Sequence, residues 1–357
     1  MPTFRVETPQ RCYSAIVERG ILARANQYVP PAAGKVFVVS TADVWRHQSA
    51  ALERGLAGVA YQGLFLPGGE ENKRLAPLER LAEEMVECGG DRASVILAFG
   101  GGVVNDMAGF LAAIFMRGID VIQIPTTLLA QVDAAIGGKT GVNLAIGKNL
   151  IGSFHQPRVV LIDPAALDTL PEREYRAGLY EVIKAGIIRD PELFRFLQGH
   201  SEEVLARQPG AMERIVGDSV RMKAEVVSAD ERETGLRRIL NFGHTFGHAL
   251  EAETEYTRFL HGEAVAFGMR AAIHLGEATR SVSSADAGEL LEAVERYGPI
   301  PARDGVRAER LLARLAHDKK TIKGSVHFVL PVRIGEVKVV SGVDEKQVLE
   351  AIQFALS

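Results

Sequence analysis

The sequence predicts an α/β domain with a parallel, Rossmann-like sheet over residues 1–171, followed by a mainly α-helical domain over residues 172–357. The chain has 357 residues, which is enough for about two domains. In its first half, short runs of buried-strand residues alternate with helical patterns, as in βαβ units. From Glu172 onward the apolar residues recur with helical periodicity. In a parallel sheet of this kind, ligands bind at the carboxyl ends of the strands.

Composition excludes several classes of protein. The 41 basic and 45 acidic residues give a formal net charge of -4, so the chain as a whole does not suit nucleic acid, although a local basic pocket remains open. The two cysteines, Cys12 and Cys88, are too few for a disulfide framework or a thiolate zinc site. No stretch reaches the ~18 uninterrupted apolar residues of a membrane helix, and the N-terminus lacks a signal-peptide pattern. We therefore expect a cytoplasmic protein without nucleic-acid or membrane partners.

The first domain is expected to open with an edge hairpin, from Phe4 to Thr8 and from Tyr13 to Val17. A helix is predicted from Leu75 to Cys88. Further strands are predicted at Val36–Val39, Tyr61–Leu66, Val95–Phe99, Val121–Ile124 and Val159–Asp163. The domain boundary is expected near Leu170-Pro171.

A glycine-rich turn follows the strand that ends at Phe99. Gly100-Gly101-Gly102-Val103-Val104-Asn105-Asp106 leads into an apolar helix, so a phosphate can approach the backbone and the free amides of the helix start. A tight turn without a ligand is the alternative, because the Gly-x-Gly-x-x-Gly fingerprint is absent. Two further strand ends favour a diphosphate. The first is the turn from Pro67 to Lys73, where the Glu70 carboxylate suits ribose hydroxyls. The second is the end of the strand Val121–Ile124, where Thr126 and Thr127 offer adjacent hydroxyls.

A second glycine-rich stretch, Gly137 to Asn143, looks superficially like a Walker A loop. The spacing does not fit, because position 133 is Asp where the first glycine is required. We interpret Lys139, Lys148 and Asn149 as cations and an amide on a loop that meets a phosphorylated or acidic ligand. For each lysine alone, a solvated surface position is the alternative.

The second half contains a histidine-rich stretch from Leu240 to Glu251. If it is helical, His244 and His248 lie on one face, where two imidazoles can bind a metal or an anion. The alternative is a packed helix whose histidines bond to backbone carbonyls. A second pair, His261 with Glu263, and the nearby Arg237, Arg238 and Asn241 favour a pocket.

The remaining periodicity of the second half is mostly helical. Glu181 and Lys184 lie three residues apart on one predicted helix, a spacing usually found in surface ion pairs. Helices are predicted at Tyr175–Ile188, Pro191–Leu205, Ala211–Val227, Glu263–Ala278 and Glu345–Leu356, with a hairpin formed by Val326–Leu330 and Glu336–Val340.

Taken in order, these motifs resemble the 3-dehydroquinate synthase family over essentially the whole chain. The matching motifs are Pro-x-Gly-Glu-x-x-Lys at 67–73, Gly-Gly-Gly-Val-x-x-Asp at 100–106, Arg117, Pro-Thr-Thr at 125–127, Gly-Gly-Lys-Thr at 137–140, Gly-Lys-Asn at 147–149, Glu-Val-Ile-Lys at 181–184, Asn-Phe-Gly-His-Thr-x-Gly-His at 241–248 and His-Gly-Glu-Ala-Val at 261–265.

The resemblance implies an NAD+ site in the first domain and a divalent metal, Zn²⁺ or alternatively Co²⁺, in the second. It assigns the metal to Glu181, His244 and His261, and so replaces the local pairing of His244 with His248. The cofactor-binding positions it implies are Gly69, Glu70, Lys73, Gly101, Gly102, Val103, Asp106, Thr126, Thr127, Lys139, Lys148, Leu167 and Thr169. The catalytic positions are Lys139, Lys184, Lys223, Arg237, Asn241 and His248, and the substrate-binding positions are Arg117, Asp133, Asn149, Glu233, Lys319 and Lys320.

The implied activity is that of a carbon-oxygen lyase of the shikimate pathway, in a homodimer. It converts 3-deoxy-D-arabino-heptulosonate 7-phosphate to 3-dehydroquinate and phosphate. The implied steps are transient oxidation by NAD+, phosphate elimination, re-reduction, ring opening and intramolecular aldol closure. Asn105, Thr41 and Tyr180 depart from the family pattern, and the first two put cofactor affinity in question.

Three other functions compete. A metal-dependent polyol oxidoreductase of the glycerol dehydrogenase type has a similar glycine turn, but would not need so many anion-binding side chains. A cyclase of sedoheptulose 7-phosphate has a substrate without the carboxylate, whereas Asn149 and Arg237 are retained here. A non-catalytic NAD sensor is expected to have lost a metal ligand or a lysine, and none is lost.

Overall fold

The structure, a computed structural model, describes residues 2–317 and 326–357. It consists of two compact units, of which the first is Met1–Pro171 with Met212–Glu231 and the second is Glu172–Ala211 with Arg232–Ser357.

A seven-stranded sheet forms the centre of the first unit. Its strands are β1 (Thr3–Glu7), β2 (Cys12–Val17), β3 (Val36–Thr41), β4 (Tyr61–Leu66), β5 (Val95–Gly100), β6 (Asp120–Pro125) and β9 (Val159–Ile162). Their order is β1-β2-β9-β6-β5-β3-β4, and only β1 and β2 pair antiparallel. The predicted parallel sheet with an edge hairpin is therefore confirmed.

Helices cover both faces of this sheet because its central strands are apolar on both sides. Alternate residues of β3 face opposite ways: Phe37 packs with α2 (Leu75–Glu87) and α3 (Gly102–Ile114), while Val38 packs on the face covered by α1 (Ala42–Gly55). The strand period of two thus places one apolar set in each layer.

A separate antiparallel hairpin joins this unit, made of β7 (Lys139–Leu144) and β8 (Gly147–Phe154). The predicted loop for Lys139, Lys148 and Asn149 is wrong, since all three lie in these strands. Glycine permits the pairing, because a Cβ at Gly152 would stand 2.1 Å from the carbonyl oxygen of Thr140.

The division between the two units falls near the start of the helix α7 (Pro209–Ala229). Residues 209–211 belong to the second unit, and residues 212–231 belong to the first. The prediction that placed all of 172–357 in one domain differs from this division. The physical reason is long-range polar bonding: Lys223 Nζ bonds to the carbonyl oxygen of Asp133 at 2.6 Å, and Gln156 Nε2 bonds to Glu231 at 2.8 Å. Such contacts do not show in the helical periodicity.

The second unit is mainly helical, as predicted. Its helices are α4 (Glu172–Ile188), α5 (Pro191–Gly199), α6 (Ser201–Leu205), α8 (His244–Glu253), α9 (His261–Ala278), α10 (Ser284–Arg296), α11 (Ala308–His317) and α12 (Glu345–Leu356), with a hairpin of β10 (His327–Arg333) and β11 (Glu336–Ser341). The single helix predicted over 191–205 is wrong, since it is broken at His200. The helices α10 and α11 were not predicted from the sequence.

Close backbone contacts set the packing of α4, α8 and α9. A Cβ at Gly268 of α9 would lie 1.8 Å from the carbonyl oxygen of Gly243, which precedes α8. A Cβ at Gly247 would lie 2.8 Å from the carbonyl oxygen of Ala264, and one at Gly262 would lie 1.8 Å from that of Ala177 in α4. Only glycine allows these three helices to approach so closely.

No helix within residues 2–317 and 326–357 is long and apolar enough to cross a membrane.

Gly268→Ala tests this packing. The new methyl group collides with backbone that cannot rotate away, so we expect a loss of about 3 kcal/mol in the free energy of unfolding. Urea denaturation followed by circular dichroism measures it.

Gly288→Ala in α10 is the matched control, because nothing lies within 4 Å of its added Cβ. It should stabilise the protein by about 0.5–1 kcal/mol, since Ala is the better helix former. Equal stability of the two variants would contradict the packing argument.

Candidate functional site

The glycine turn lies at the carboxyl end of β5, where α3 begins at Gly102. Gly101 precedes the helix in an extended conformation, and a Cβ there would meet the Thr127 side chain at 3.0 Å. Gly101, Gly102 and Val103 remain half-buried. The first-turn amides of α3 therefore lie beside the end of β6, in the arrangement by which a helix start can receive an anion.

A buried polar network surrounds this turn. Lys73, 3% exposed, bonds to Asp106 at 2.5 Å and to the Asn149 amide oxygen at 2.7 Å. Asn143 donates to Glu70 at 2.8 Å. We call Glu70, Lys73, Asp106, Asn143 and Asn149 the Lys73 network.

The Lys73 network is held by charge and backbone geometry. Lys148 Nζ lies 3.7 Å from Glu70, and Gly69 adopts φ 93°, which only glycine does without strain. Burial raises the pKa of the Asp106 carboxyl, while the nearby Lys73 ammonium acts in the opposite direction. The network thus fixes two carboxyl groups, two amides and one ammonium group near the carboxyl ends of β4 and β5.

Four further predicted cofactor residues, Thr126, Thr127, Leu167 and Thr169, follow the carboxyl ends of β6 and β9. Thr126 donates its backbone N–H to Gly100 at 2.9 Å, and the Thr127 hydroxyl accepts from the N–H of Ala130 at 3.2 Å. Leu167 is buried and Thr169 is exposed, in a 3-10 helix (Pro164–Thr169) that follows β9.

Lys223 and Asp133 also lie close to the glycine turn. Lys223 is 5% exposed and bonds to the Asp133 carboxylate at 2.5 Å. A Cβ at Gly102 would lie 3.4 Å from Ala134, the residue after Asp133. The resemblance implied a catalytic role for Lys223 and a substrate-binding role for Asp133, and the structure places their pair beside the helix start.

Arg117 lies at the amino end of the parallel strands, just before β6, whereas the glycine turn lies at their carboxyl end. It lines an open cavity of about 530 Å³ together with Arg11, Arg92, Asp120 and His155. Its backbone adopts φ 71°, a strained conformation for a side chain of this size. The structure therefore does not bring Arg117 to the glycine turn.

Lys139 is exposed and pairs across the hairpin with Phe154, which lines the same cavity. Its backbone thus lies at the end of the hairpin away from the Lys73 network, whereas Lys148 and Asn149 lie at the near end.

Two of the residues that depart from the family pattern form hydrogen bonds within the protein. Asn105 is 1% exposed and donates to the Ala98 carbonyl oxygen at 3.1 Å, so its side chain ties α3 to β5. The Thr41 hydroxyl accepts from the N–H of Val44 and caps α1.

In the second unit, Glu181, His244 and His261 converge from α4, α8 and α9. Glu181 Oε1 lies 3.8 Å from Nε2 of both histidines, and the Glu181 side chain is 1% exposed. No described residue donates a hydrogen bond to this oxygen.

These three residues fit a divalent metal ion. Ligand atoms that share an ion at about 2.0–2.2 Å lie roughly 3–4 Å apart. A buried carboxylate oxygen without a donor is costly unless a cation compensates it. One carboxylate and two imidazoles is a donor set typical of catalytic zinc.

The orientation of His244 agrees with this use of Nε2. Its Nδ1 lies 3.1 Å from the carbonyl oxygen of Phe242, which can only accept, so the proton belongs on Nδ1. The lone pair of Nε2 then points toward Glu181.

Lys184 is buried with Glu181. It donates to the Leu240 carbonyl oxygen at 2.9 Å and lies 2.5 Å from Glu181 Oε2, and its side chain is 2% exposed. The surface ion pair suggested by the spacing is therefore wrong, because the α4 face that carries both residues is packed against other elements.

His248 belongs to a second group that shares a member with the first. Suitable donor atoms of His248, Glu251 and His261 also lie within 4.8 Å of one another. The geometry alone thus leaves two overlapping sets around His261.

The other predicted residues of this unit are placed as follows. Arg237 is 2% exposed, and Asn241 donates to Glu233. Lys319 and Lys320 lie outside the described residues.

Two carboxylates near His261 escaped the site prediction. Glu251 Oε1 lies 3.4 Å from His261 Nδ1. Glu263 accepts from the N–H of Leu260 at 2.8 Å and from Arg173 at 2.7 and 2.8 Å, so it caps α9 where His261 stands. The i, i+3 spacing of His248 and Glu251 was the available signal, and Glu263 was noted only as a neighbour of His261.

Comparison with known proteins gives consistent results. Residues 63–177 match the model of the 3-dehydroquinate synthase N-terminal domain, and residues 178–321 match that of the C-terminal domain. A 3-dehydroquinate synthase from Solibacter usitatus is 70% identical over 357 residues, covering 100% of both chains.

Solved structures of sugar phosphate cyclases are also similar. A 2-epi-5-epi-valiolone synthase from Streptomyces hygroscopicus, with NAD+ and Zn²⁺ bound, has a TM-score of 0.88 at 30% identity and 98% coverage of each chain. A 2-deoxy-scyllo-inosose synthase complexed with carbaglucose-6-phosphate, NAD+ and Co²⁺ has a TM-score of 0.89 at 26% identity, covering 98% of this chain and 99% of that one.

A probable glycerol dehydrogenase from Sinorhizobium meliloti has a TM-score of 0.67 at 16% identity, with 96% of each chain covered, and at that identity the likeness concerns the fold alone. The two domain models and the full-length identity distinguish the synthase family from the dehydrogenases, whereas the fold is common to both. On this evidence, the chain belongs to the 3-dehydroquinate synthase family.

Proposed function

We propose that this protein is a 3-dehydroquinate synthase that releases phosphate from 3-deoxy-D-arabino-heptulosonate 7-phosphate. One observation carries the proposal: in a member of this family, the buried Glu181 oxygen lies 3.8 Å from Nε2 of both His244 and His261. A member that had lost the chemistry would not need to keep this donor set buried and converged.

Glu181, His244 and His261 would hold the divalent metal. When bound, such an ion polarises a carbinol oxygen as a Lewis acid. Glu181 supplies the negative charge, and Lys184 fixes its second oxygen. His244 is oriented through its bond to the Phe242 carbonyl oxygen.

The glycine turn and the Lys73 network would hold NAD+. When bound, the nicotinamide accepts a hydride and returns it. The first-turn amides of α3 would receive the diphosphate, and the Glu70 carboxylate would accept a hydrogen bond from a ribose hydroxyl. Asp106 bonds to Lys73 and so fixes the position of its ammonium group.

The cationic side chains would bind the substrate's carboxylate and phosphate. Lys184, Lys223 and Arg237 are all at most 5% exposed, and charge-assisted bonds are strong where water is excluded. Arg237 offers a planar fork that suits carboxylate or phosphate. Asn241 and His248 add hydrogen-bonding groups to this set, in keeping with the catalytic roles implied by the family.

The polyol oxidoreductase is not favoured. The dehydrogenase match shares the fold at 16% identity, whereas the synthase relative shares 70% of the sequence. The phosphorylated-sugar substrate class follows from family membership, and the heptulosonate itself is part of the proposal.

The metal assignment gives the first functional prediction. Glu181→Gln, His244→Ala and His261→Ala should each lower bound zinc and activity together, because each removes one of three ligands. Zinc content by atomic absorption and phosphate release measure both effects.

His248→Ala is the matched control, since it removes an imidazole from the same helix as His244. It should keep most of the metal. Loss of zinc from this variant, with retention in His261→Ala, would reverse the assignment.

The reaction class gives the next prediction. NAD+ should be required yet not consumed, because the ketone made by the first hydride transfer can lose phosphate before any product departs. Inorganic phosphate should then form over many turnovers at substoichiometric NAD+, without lasting growth of NADH absorbance. Steady NADH formation from a simple polyol, with no phosphate released, would instead indicate an oxidoreductase.

The homodimer implied by the family is also part of this proposal, and the position of Arg117 supports it. Arg117 lies one strand length, six residues or about 20 Å, from the edge that carries the glycine turn. If it binds substrate as the family implies, a second copy of the chain must present it.

Mixing two inactive variants tests this arrangement. Arg117→Ala and Glu181→Gln should each be inactive alone, whereas a refolded or co-expressed mixture should recover up to roughly a quarter of wild-type activity through heterodimers with one intact site. Light scattering checks that the mixture forms dimers. If the dimeric mixture is as inactive as its components, Arg117 either acts in the site of its own chain or takes no part in the reaction.

The cytoplasmic location predicted from the sequence belongs to the proposal as well. Both free cysteines, Cys12 and Cys88, are exposed, which suits a reducing compartment. Cell fractionation with an antibody to the protein tests the location, and recovery outside the cytoplasmic fraction would contradict it.

A further inference from the structure

The His261 ring lies between two carboxylates from different helices. Its Nε2 is 3.8 Å from Glu181 Oε1 in α4, and its Nδ1 is 3.4 Å from Glu251 Oε1 in α8. The side chain of Glu251 is 1% exposed, as is that of Glu181. The two ring nitrogens therefore have distinct partners.

We propose that Glu251 is a positioning residue that accepts a hydrogen bond from Nδ1–H of His261 and so presents the Nε2 lone pair to the metal. This inference rests on the proposed metal site. A proton on Nδ1 leaves Nε2 as the only ring nitrogen able to bind a cation. A carboxylate partner also raises the basicity of the ligand.

The same arrangement occurs at His244, with a different acceptor. There the Phe242 carbonyl oxygen accepts from Nδ1 at 3.1 Å, and Nε2 again lies 3.8 Å from Glu181 Oε1. Both histidines thus have an acceptor at Nδ1 and the same oxygen opposite Nε2. For His261 the acceptor is a full negative charge.

Other contacts fix the backbone around His261, so that rotation of its imidazole ring is the conformational freedom that remains. Glu263 caps the start of α9 and is held by Arg173, while Gly262 packs against the Ala177 carbonyl oxygen. These contacts set where the side chain begins, but not how the imidazole rotates. Glu251 supplies a contact that selects one orientation.

A second metal ion held by His248, Glu251 and His261 is the competing arrangement. It would need Nδ1 of His261 as a ligand, and hence no proton there. The protonation state of Nδ1 and the number of ions bound therefore separate the two.

The test measures zinc affinity of the metal-free full-length protein by competition with a chromophoric chelator. Glu251→Gln keeps the shape but removes the charge, and we expect zinc affinity to fall about 10- to 100-fold. The visible spectrum of the Co²⁺-loaded variant should also change, because the ring is no longer held in one orientation.

Glu253→Gln is the matched control. It lies on the same helix, but its carboxylate pairs with Arg310 and Arg314. Its zinc affinity and Co²⁺ spectrum should equal those of the wild type.

The outcomes are separable. If Glu251→Gln keeps the zinc affinity and Co²⁺ spectrum of the wild type, the positioning role is overturned while the metal site stands. The positioning role is also overturned if the wild type binds two ions and Glu251→Gln loses one of them. A wild type without zinc, or one whose zinc affinity survives Glu181→Gln, would mean that the proposed metal site itself fails.

If Glu251→Gln does not fold, the wild type decides. Nitrogen-15 NMR of histidine-labelled zinc protein, with the His261 signal assigned from the His261→Ala variant, should show a proton on Nδ1 of His261. Absence of that proton would overturn the inference.

Discussion

The close approach of α4, α8 and α9 is the constraint on which the candidate metal site depends. Gly262, Gly247 and Gly268 let backbone meet backbone, with added Cβ positions only 1.8 to 2.8 Å from neighbouring carbonyl oxygens. Because the helices lie so close, a carboxylate and two imidazoles from three separate elements reach one point. A single methyl group in this contact would move the ligand atoms apart.

A different constraint organises the first unit, where polar groups collect at one edge of an apolar sheet. The strands β5 and β9 are buried along their whole length and carry no polar side chain, so polar groups follow at their ends. The carboxyl ends of β4, β5 and β6 place the Lys73 network, the glycine turn and the threonines together. The sheet is therefore both the core of this unit and the scaffold of its site.

Both units contain buried charged side chains. Lys73, Glu181, Lys184 and Lys223 are nearly inaccessible, yet each has an oppositely charged partner. Unpaired, such groups would destabilise the fold, whereas paired they hold fixed charges where water cannot screen them. A protein of net charge -4 can in this way contain strongly cationic positions.

The sequence by itself determined the element types, the parallel sheet, the glycine turn and the family, because periodicity and ordered motifs are local properties. The i, i+4 spacing of His244 and His248 did not show that Glu181 and His261 lie beside His244, since spacing within one helix cannot report which helices pack alongside; only the family resemblance indicated that set. Only the tertiary structure decided that α7 packs with the sheet, that Arg117 lies at the far edge, that Lys139 lies in a strand, and that Glu251 meets His261. Each of these depends on contacts between residues distant in the chain, and such contacts leave no periodic signal in the sequence.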